Sequence, residues 1–213
     1  MATAVSPSEG ITAGQIGKIQ ELVSARLRKS GLLSEPVHQA LEKSGDAIAE
    51  EMVAVVRKHA EATMFLVPRG AHEVTLVESH DPDKCFRTRE GLWVYDGFRN
   101  LVVAKAKPSK AGEIHKVVRA ELMQDLTDEK IETLLGDEHF FEETALCAII
   151  TDLIDKQPEG KEGVLLNNGY ANLFYTVCVV SVRWVSGYRR WDVRTWHRDG
   201  RRWRAGDRVF SRN

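Results

Sequence analysis

The sequence has 213 residues, 43% of them hydrophobic, and a formal net charge of -1, which suits one medium domain or a small helical module followed by one domain. Its apolar runs are far shorter than the roughly 20 residues that span a bilayer, and its N-terminus lacks the pattern of a secretory signal, so we expect no membrane contact. Three widely spaced cysteines without a Cys-x-x-Cys pair argue against a disulfide framework or a zinc site and predict a cytoplasmic protein.

Residues 1–63 are predicted to form a helical arm. Apolar residues recur at three- and four-residue spacing from Ile16 to Leu27, and Ser30-Gly31 and Ser44-Gly45 divide the arm into three short amphipathic helices. Helices of this kind are typical of a dimerisation module, which would make the protein a homo-oligomer. An arm that packs on its own domain fits the pattern equally well, and both interpretations stay open.

Residues 64–213 are predicted to form a mixed α/β domain. Short β-branched and aromatic runs over residues 64–107 indicate strands, and helical periodicity returns over residues 112–157. From Val164 onward the pattern again indicates strands, with Asp199-Gly200 as the turn of a hairpin. We therefore predict an α+β fold in which a helical arm is followed by a mixed domain that ends in an antiparallel sheet.

Three groups of titratable residues lie in the middle of the chain, and none matches a catalytic or metal-binding motif. They are His80–Cys85 in one loop, Glu113-Ile-His115, and Asp137-Glu-His139. A metal needs three or four ligands that converge on one point, which a single loop with a proline rarely provides. We interpret these groups as polar turns and helix ends, and we expect no cofactor, no metal and no enzymatic activity. An enzyme with a site in this region is the least favoured alternative.

The last 31 residues, Arg183 to Asn213, contain ten arginines, three aspartates and four of the five tryptophans. This segment carries a net charge of +7, and the rest of the chain carries -8. Arginines neutralise phosphates and exposed rings stack on unpaired bases, so nucleic-acid binding is one hypothesis. The alternation of Val180, Val182 and Trp184 favours instead rings that face the core, with the arginines forming a positive surface.

The composition of this segment suggests how its arginines arose. It contains no Lys, Glu, Gln or Met, although the rest of the chain uses all four. Replacement of the adenines in AAC or AAT codons reaches every residue type found here except tryptophan, and it cannot produce those four absent types. The tryptophans at 184, 191, 196 and 203 would then form an invariant scaffold.

In this respect the segment resembles the variable proteins of diversity-generating retroelements, in which an error-prone reverse transcriptase rewrites a C-terminal cassette. The resemblance lies in tryptophans at fixed intervals, small or charged residues between them, and a short constant end from Arg208 to Asn213. It implies a receptor rather than an enzyme, with a C-type-lectin-like fold whose rigid β scaffold displays variable side chains. The blocks Asn167–Tyr175 and Trp203–Ser211, with helical segments at residues 29–33 and 49–53, are also similar to uncharacterised proteins of uncultivated, small-genome bacteria.

We therefore predict a non-enzymatic ligand-binding protein that displays a sequence-variable surface on a tryptophan-scaffolded C-terminal sheet. Its ligand is expected to be a macromolecule, with a protein favoured over a nucleic acid. The alternative is a nucleic-acid-binding protein that uses the same arginine- and tryptophan-rich patch. The predicted contact residues lie between the tryptophans and are Ser186, Tyr188, Arg189, Arg190, Asp192, Arg194, Thr195, His197, Arg198, Asp199, Arg201, Arg202, Arg204 and Asp207.

Overall fold

The structure is a computed structural model that describes residues 11–32, 34–136 and 139–212, apart from the side chains of residues 61–63. The chain divides into two compact units, with the boundary between Val56 and Arg57. Within the described ranges, none of the helices combines the length and the apolar character needed to cross a bilayer.

The arm consists of two helices, α1 (Ala13–Lys29) and α2 (Ser34–Phe65). Thr12 starts α1 with a reciprocal cap, in which its side chain accepts from the backbone of Gln15 and its backbone donates to the Gln15 side chain. The predicted second and third helices are one element, since only Ser44 (φ -140°, ψ 20°) leaves the helical region of α2. The predicted break at this point is therefore a kink.

The second unit contains four helices and nine strands within the described residues. The helices are α3 (Pro82–Cys85), α4 (Asp96–Leu101), α5 (Asp128–Leu135) and α6 (Glu143–Asp155). The strands are β1 (Leu66–Thr75), β2 (Leu92–Val94), β3 (Ile114–Leu122), β4 (Leu126–Thr127), β5 (Asn172–Tyr175), β6 (Val179–Val185), β7 (Arg190–Trp196), β8 (Arg202–Trp203) and β9 (Arg208–Arg212).

Seven of these strands form one mixed sheet in the order β1-β3-β9-β5-β6-β7-β2, and β4 pairs with β8 in a small second sheet. The β5–β9 and β2–β7 pairs are parallel, and the other pairs are antiparallel. The predicted α+β class is confirmed. The C-terminal strands belong to a mixed sheet, because β9 crosses back to lie between β3 and β5.

Two local predictions were wrong because tertiary contacts override local preference. The β-prone run at residues 100–104 lies in α4 and the short 3₁₀ turn after it, where Val102 and Val103 are buried with Phe98 in the core. The segment predicted as helical at the start of residues 112–157 is β3, which gains backbone partners on both sides from β1 and β9.

The predicted hairpin at Asp199-Gly200 was also wrong. Gly200 does adopt a positive φ of 83°, but β7 and β8 do not pair with each other. Strand β8 pairs instead with β4, so that Trp203 lies opposite Leu126 and is buried. The turn therefore carries the chain off the large sheet into a second layer.

Each face of the large sheet packs against its own apolar layer. One layer is built around α6 and contains Trp184 and Trp191, while the other is built around α5 and contains Tyr175 and Trp203. Because side chains alternate along a strand, the residues next to Trp184 and Trp191 project to the face opposite α6. This alternation places the arginines of β6 and β7 on that second face.

Candidate ligand-binding face

The candidate site is the part of the second sheet face formed by β6 and β7, which we call the arginine face. The side chains that define it are Ser181 and Arg183 on β6, Arg190, Asp192, Arg194 and Trp196 on β7, and Trp93 and Tyr95 in and beside β2. In the antiparallel register, Arg183 lies opposite Asp192, and Ser181 lies opposite Arg194. Directly opposed residues have neighbouring Cβ atoms, so these side chains share one small surface.

A buried carboxylate organises this face. Asp192 is 3% exposed, and its Oδ1 accepts from Nε of Arg190 at 2.9 Å while its Oδ2 accepts from Nη2 of Arg194 at 3.1 Å. The hydroxyl of Tyr95 lies 3.4 Å from Oδ2. Hydrogen bonds to a charged partner are strong, so Asp192 fixes both guanidinium groups in position.

Aromatic rings also contact Arg190 and Arg194. The guanidinium carbon of Arg190 lies 4.5 Å from the ring centre of Trp93 and 4.8 Å from that of Tyr188. The guanidinium of Arg194 lies 4.0 Å from the ring centre of Tyr95 and also donates to the Tyr95 hydroxyl. Trp93 and Tyr95 reach these arginines because β2 runs parallel to β7 and places Trp93 beside Asp192, whereas Tyr188 comes from the turn before β7.

The loop after β7 adds one more arginine to this surface. The guanidinium of Arg201 lies 3.5 Å from the ring centre of Trp196 and 5.0 Å from that of Trp203. Indole Nε1 of Trp196 donates to Oγ of Ser181 at 3.2 Å. The Trp196 ring is therefore fixed on the sheet and covered by a cation.

A hollow of about 820 Å³ lies over the arginine face and is lined by four arginines, at 183, 190, 194 and 201. Asp192 is the one acidic residue among the described residues that line it. A second hollow of about 1070 Å³ lies beside the first at the end of the sheet and shares Tyr188 and Arg190 with it. The rim of the second hollow includes an ion pair of 3.2 Å between Glu159 and Arg189.

Three of the four tryptophans predicted as scaffold are buried. Trp184 and Trp191 make an edge-to-face contact of 5.4 Å on the α6 side, and Nε1 of Trp191 donates to the carbonyl of Gln157 at 3.1 Å. Trp203 lies in the opposite layer. Trp196 is half-buried and belongs to the arginine face itself.

The structure places most of the predicted contact residues at the surface. Arg190 and Arg194 are half-buried on the arginine face. The others that reach the surface lie in the turn before β7 and in the segment after it, and they are Ser186, Tyr188, Arg189, His197, Arg198, Asp199, Arg201, Arg202 and Arg204. These two stretches lie at opposite ends of β7, and both contribute residues to the hollow over the arginine face.

The other three predicted contact residues make contacts within the folded protein. Asp192 is buried under its two arginines, and Asp207 is 1% exposed and accepts from the backbone amides of Ala171 (2.7 Å) and Arg204 (2.9 Å). Thr195 faces the α6 side, where its Oγ1 packs so closely on Gly97 of α4 that a Cβ there would lie 2.4 Å away. Short polar side chains look like surface residues in a sequence. Here Asp192 and Asp207 accept hydrogen bonds inside the protein, and Thr195 packs against a helix.

Sequence reasoning missed four residues of this face. Arg183 and Ser181 could have been found, since both alternate with the core positions Val182 and Trp184 along β6. Trp93 and Tyr95 gave no local signal, because only the pairing of β2 with β7 brings them to the site.

The histidines singled out in the middle of the chain make contacts within the folded protein. His80 is buried, its Nε2 lies 3.0 Å from Oγ1 of Thr151, and burial lowers its pKa. His139 is buried against Phe140 and Tyr175, whereas Asp137 and Glu138 lie outside the described residues. Among the histidines, cysteines and acidic residues in the described ranges, no three lie close enough together to hold a metal ion.

Comparison with protein-family models, with curated proteins and with solved structures found no match for this chain.

Proposed function

We propose that this chain is a non-enzymatic ligand-binding protein of the cytoplasm, and that the arginine face with its flanking loops is the binding surface. The side chains of this surface would differ between copies of the protein, while the sheet beneath them stays the same. The cytoplasmic location is supported by Cys85, Cys147 and Cys178, none of which forms a disulfide.

One observation carries this proposal: a single segment separates display residues from scaffold residues. The side chains between the tryptophans are largely exposed, whereas Trp184, Trp191 and Trp203 are buried. A receptor that tolerates variation needs this division, because surface substitutions change stability little and core substitutions change it greatly.

The division predicts how substitutions affect unfolding. A triple variant with Tyr188→Ala, His197→Ala and Arg202→Ala should keep its free energy of unfolding within about 1 kcal/mol of the parent, because all three side chains are exposed. Trp191→Ala should lose about 3–5 kcal/mol through the cavity that it leaves. Urea denaturation followed by circular dichroism measures both, and equal losses in the two variants would contradict the proposal.

The variable character of the surface has a separate test in the coding DNA. We expect a near-copy of the last 31 codons beside a reverse transcriptase gene, with differences confined almost entirely to adenines. A genome that contains neither the copy nor the transcriptase would remove the variable surface from the proposal.

Nucleic-acid binding is the second candidate function. It is favoured by the guanidinium groups of Arg183, Arg201 and Arg204, which have no carboxylate at ion-pair distance among the described residues. This function predicts affinity for single-stranded DNA that falls steeply with salt and is lost on Trp196→Ala. Fluorescence anisotropy with a thymidine oligonucleotide at several salt concentrations tests it.

A further inference from the structure

Arg183 has an unusual position among the charges of the arginine face. It lies directly opposite Asp192 in the β6–β7 register, where an ion pair would be expected. Both oxygens of Asp192 are already bonded, Oδ1 to Arg190 at 2.9 Å and Oδ2 to Arg194 at 3.1 Å. Two arginines therefore occupy the two oxygens of this carboxylate, and Arg183 forms no ion pair with it.

The surroundings of Arg183 disfavour its positive charge. Burial is the largest cause that lowers the pKa of its guanidinium, and the nearby Arg204, Arg194 and Arg201 lower it further, against the opposing charge of Asp207. No carboxylate of a described residue lies at ion-pair distance from it. A half-buried cation in this situation is stabilised by any anion that comes into contact with it.

The hollow over Arg183 also has the donors and the size for such an anion. Arg201 lies over the Trp196 ring at the edge of the hollow, with its guanidinium carbon 3.5 Å from the ring centre. Oγ of Ser181 accepts from Nε1 of Trp196, so the Ser181 hydroxyl hydrogen can donate to a ligand. The volume of about 820 Å³ lies within the usual range of small-molecule and side-chain pockets.

We propose that the hollow over Arg183 is an anion pocket that takes a carboxylate group of a protein ligand, from an aspartate, a glutamate or a chain terminus. Arg183 provides the planar pair of N–H donors that matches a carboxylate, and Arg201 and Ser181 donate from the sides. This inference rests on the proposed function, since it assigns the chemistry of one contact within the same binding surface.

A carboxylate fits the observations better than a nucleic-acid phosphate does. Binding of a single strand requires ring faces on which bases can stack, arranged along a groove. On this face the Trp196 ring is covered by Arg201, the Tyr95 ring is covered by Arg194, and Trp203 is buried. Arg190 lies against the exposed rings of Trp93 and Tyr188, so these rings, like those of Trp196 and Tyr95, already have an arginine on one face. Free N–H donors, in contrast, are available in the hollow.

The test uses the full chain and a fluorescent hexaglutamate peptide, with binding followed by anisotropy at constant salt. Arg183→Gln should weaken binding by about tenfold, because it removes a charged pair of donors. The matched control is Arg87→Gln, which removes the same charge from an exposed site after α3, outside both the hollow and the C-terminal segment, and should weaken binding by less than about twofold. Arg183→Lys should fall between the two, because it keeps the charge without the planar donors.

Three outcomes would contradict the proposed anion pocket. Equal weakening by Arg183→Gln and Arg87→Gln would show that only net charge matters, and a lack of saturable peptide binding would show that there is no pocket. Tighter binding of a thymidine hexanucleotide, lost on Arg183→Gln, would make it a phosphate site instead. If Arg183→Gln does not fold by near-ultraviolet circular dichroism, Arg201→Gln replaces it with the same thresholds.

These results can be separated from a failure of the proposed function. Equal weakening of peptide binding in the two glutamine variants would contradict the proposed pocket but not the proposed binding surface. Absence of the adenine-directed repeat would remove the variable surface and leave the pocket in place.

Discussion

At the residue scale, Asp128 ties together the apolar layer that lies against α5. It follows Thr127, which caps α5, and it is 1% exposed. Its Oδ1 accepts from the Tyr175 hydroxyl at 3.0 Å and from Nε1 of Trp203 at 2.6 Å. Burial raises the pKa of Asp128, although these two hydrogen bonds act in the opposite direction. One carboxylate therefore satisfies the polar atoms of two large buried rings.

We expect Asp128→Ala to lower the free energy of unfolding by about 1–3 kcal/mol, since it leaves two buried donors without an acceptor. A carboxyl whose pKa is raised on folding stabilises the folded state fully below its unfolded pKa, and this contribution is lost as the pH rises through the folded pKa. The difference between the wild type and Asp128→Ala should therefore widen as the pH falls from about 7 to about 4. Denaturation at several pH values measures it, and a difference that narrows on acidification would contradict this account.

At the element scale, the two faces of β7 make different contacts. Trp191, Val193 and Thr195 pack towards α6 and α4, while Arg190, Asp192 and Arg194 form the arginine face. The contact with α4 is close because Gly97 has no side chain where Thr195 lies. The position of the arginine face therefore depends on the fit of a helix behind it.

This fit can be tested with a pair of variants. Gly97→Ala would place a methyl group 2.4 Å from Oγ1 of Thr195, so we expect a loss of about 1–3 kcal/mol in unfolding free energy. An alanine within a helix is ordinarily more stable than glycine, so the sign itself is informative. Combining Gly97→Ala with Thr195→Ala should recover most of the loss. Thr195→Ala alone is the reference for the effect of removing the threonine. If the double variant were no more stable than Gly97→Ala, another contact would be responsible for the loss.

At the scale of the whole molecule, the arm has apolar residues that the described part of the chain leaves exposed. Leu22 is 56% exposed and Leu41 is 52% exposed, and no residue of α1 is buried. Apolar stripes of this size on a helix usually pack against another surface. The predicted homo-oligomer is one way to cover them, and it stays a prediction.

If the arm does mediate self-association, the full chain should elute as a dimer or larger species at high concentration. Ile16→Glu with Leu22→Glu should then reduce the mass to that of a monomer, because charged groups on the stripe oppose its burial. Arg28→Glu is the matched control, because it makes the same change in net charge on the opposite face of α1, and it should leave the mass unchanged. Light scattering after size-exclusion chromatography measures the mass, and a wild type that is monomeric at every concentration would count against the prediction.

The sequence by itself determined the elements whose pattern is local. The apolar periodicity of α1 and α6 and the period-two alternation of β6 all depend on residues within a few positions of each other. The same alternation was enough to predict that Trp184 and Trp191 face the core. It was also enough to predict that the arginines between the tryptophans reach the surface.

Only the tertiary structure decided which residues meet and which are buried. The parallel pairing of β2 with β7 joins segments about a hundred positions apart, and it places Trp93 beside Arg190. Asp207 is buried against the amide of Ala171, 36 positions earlier, and Asp192 is buried beside Trp93 and Tyr95, which are about a hundred positions earlier. No local pattern reveals these neighbours, although the two arginines that bond Asp192 are close to it along β7. The physical reason is the same in each case: long-range packing decides where a polar group finds its hydrogen bonds, and local propensity cannot specify it.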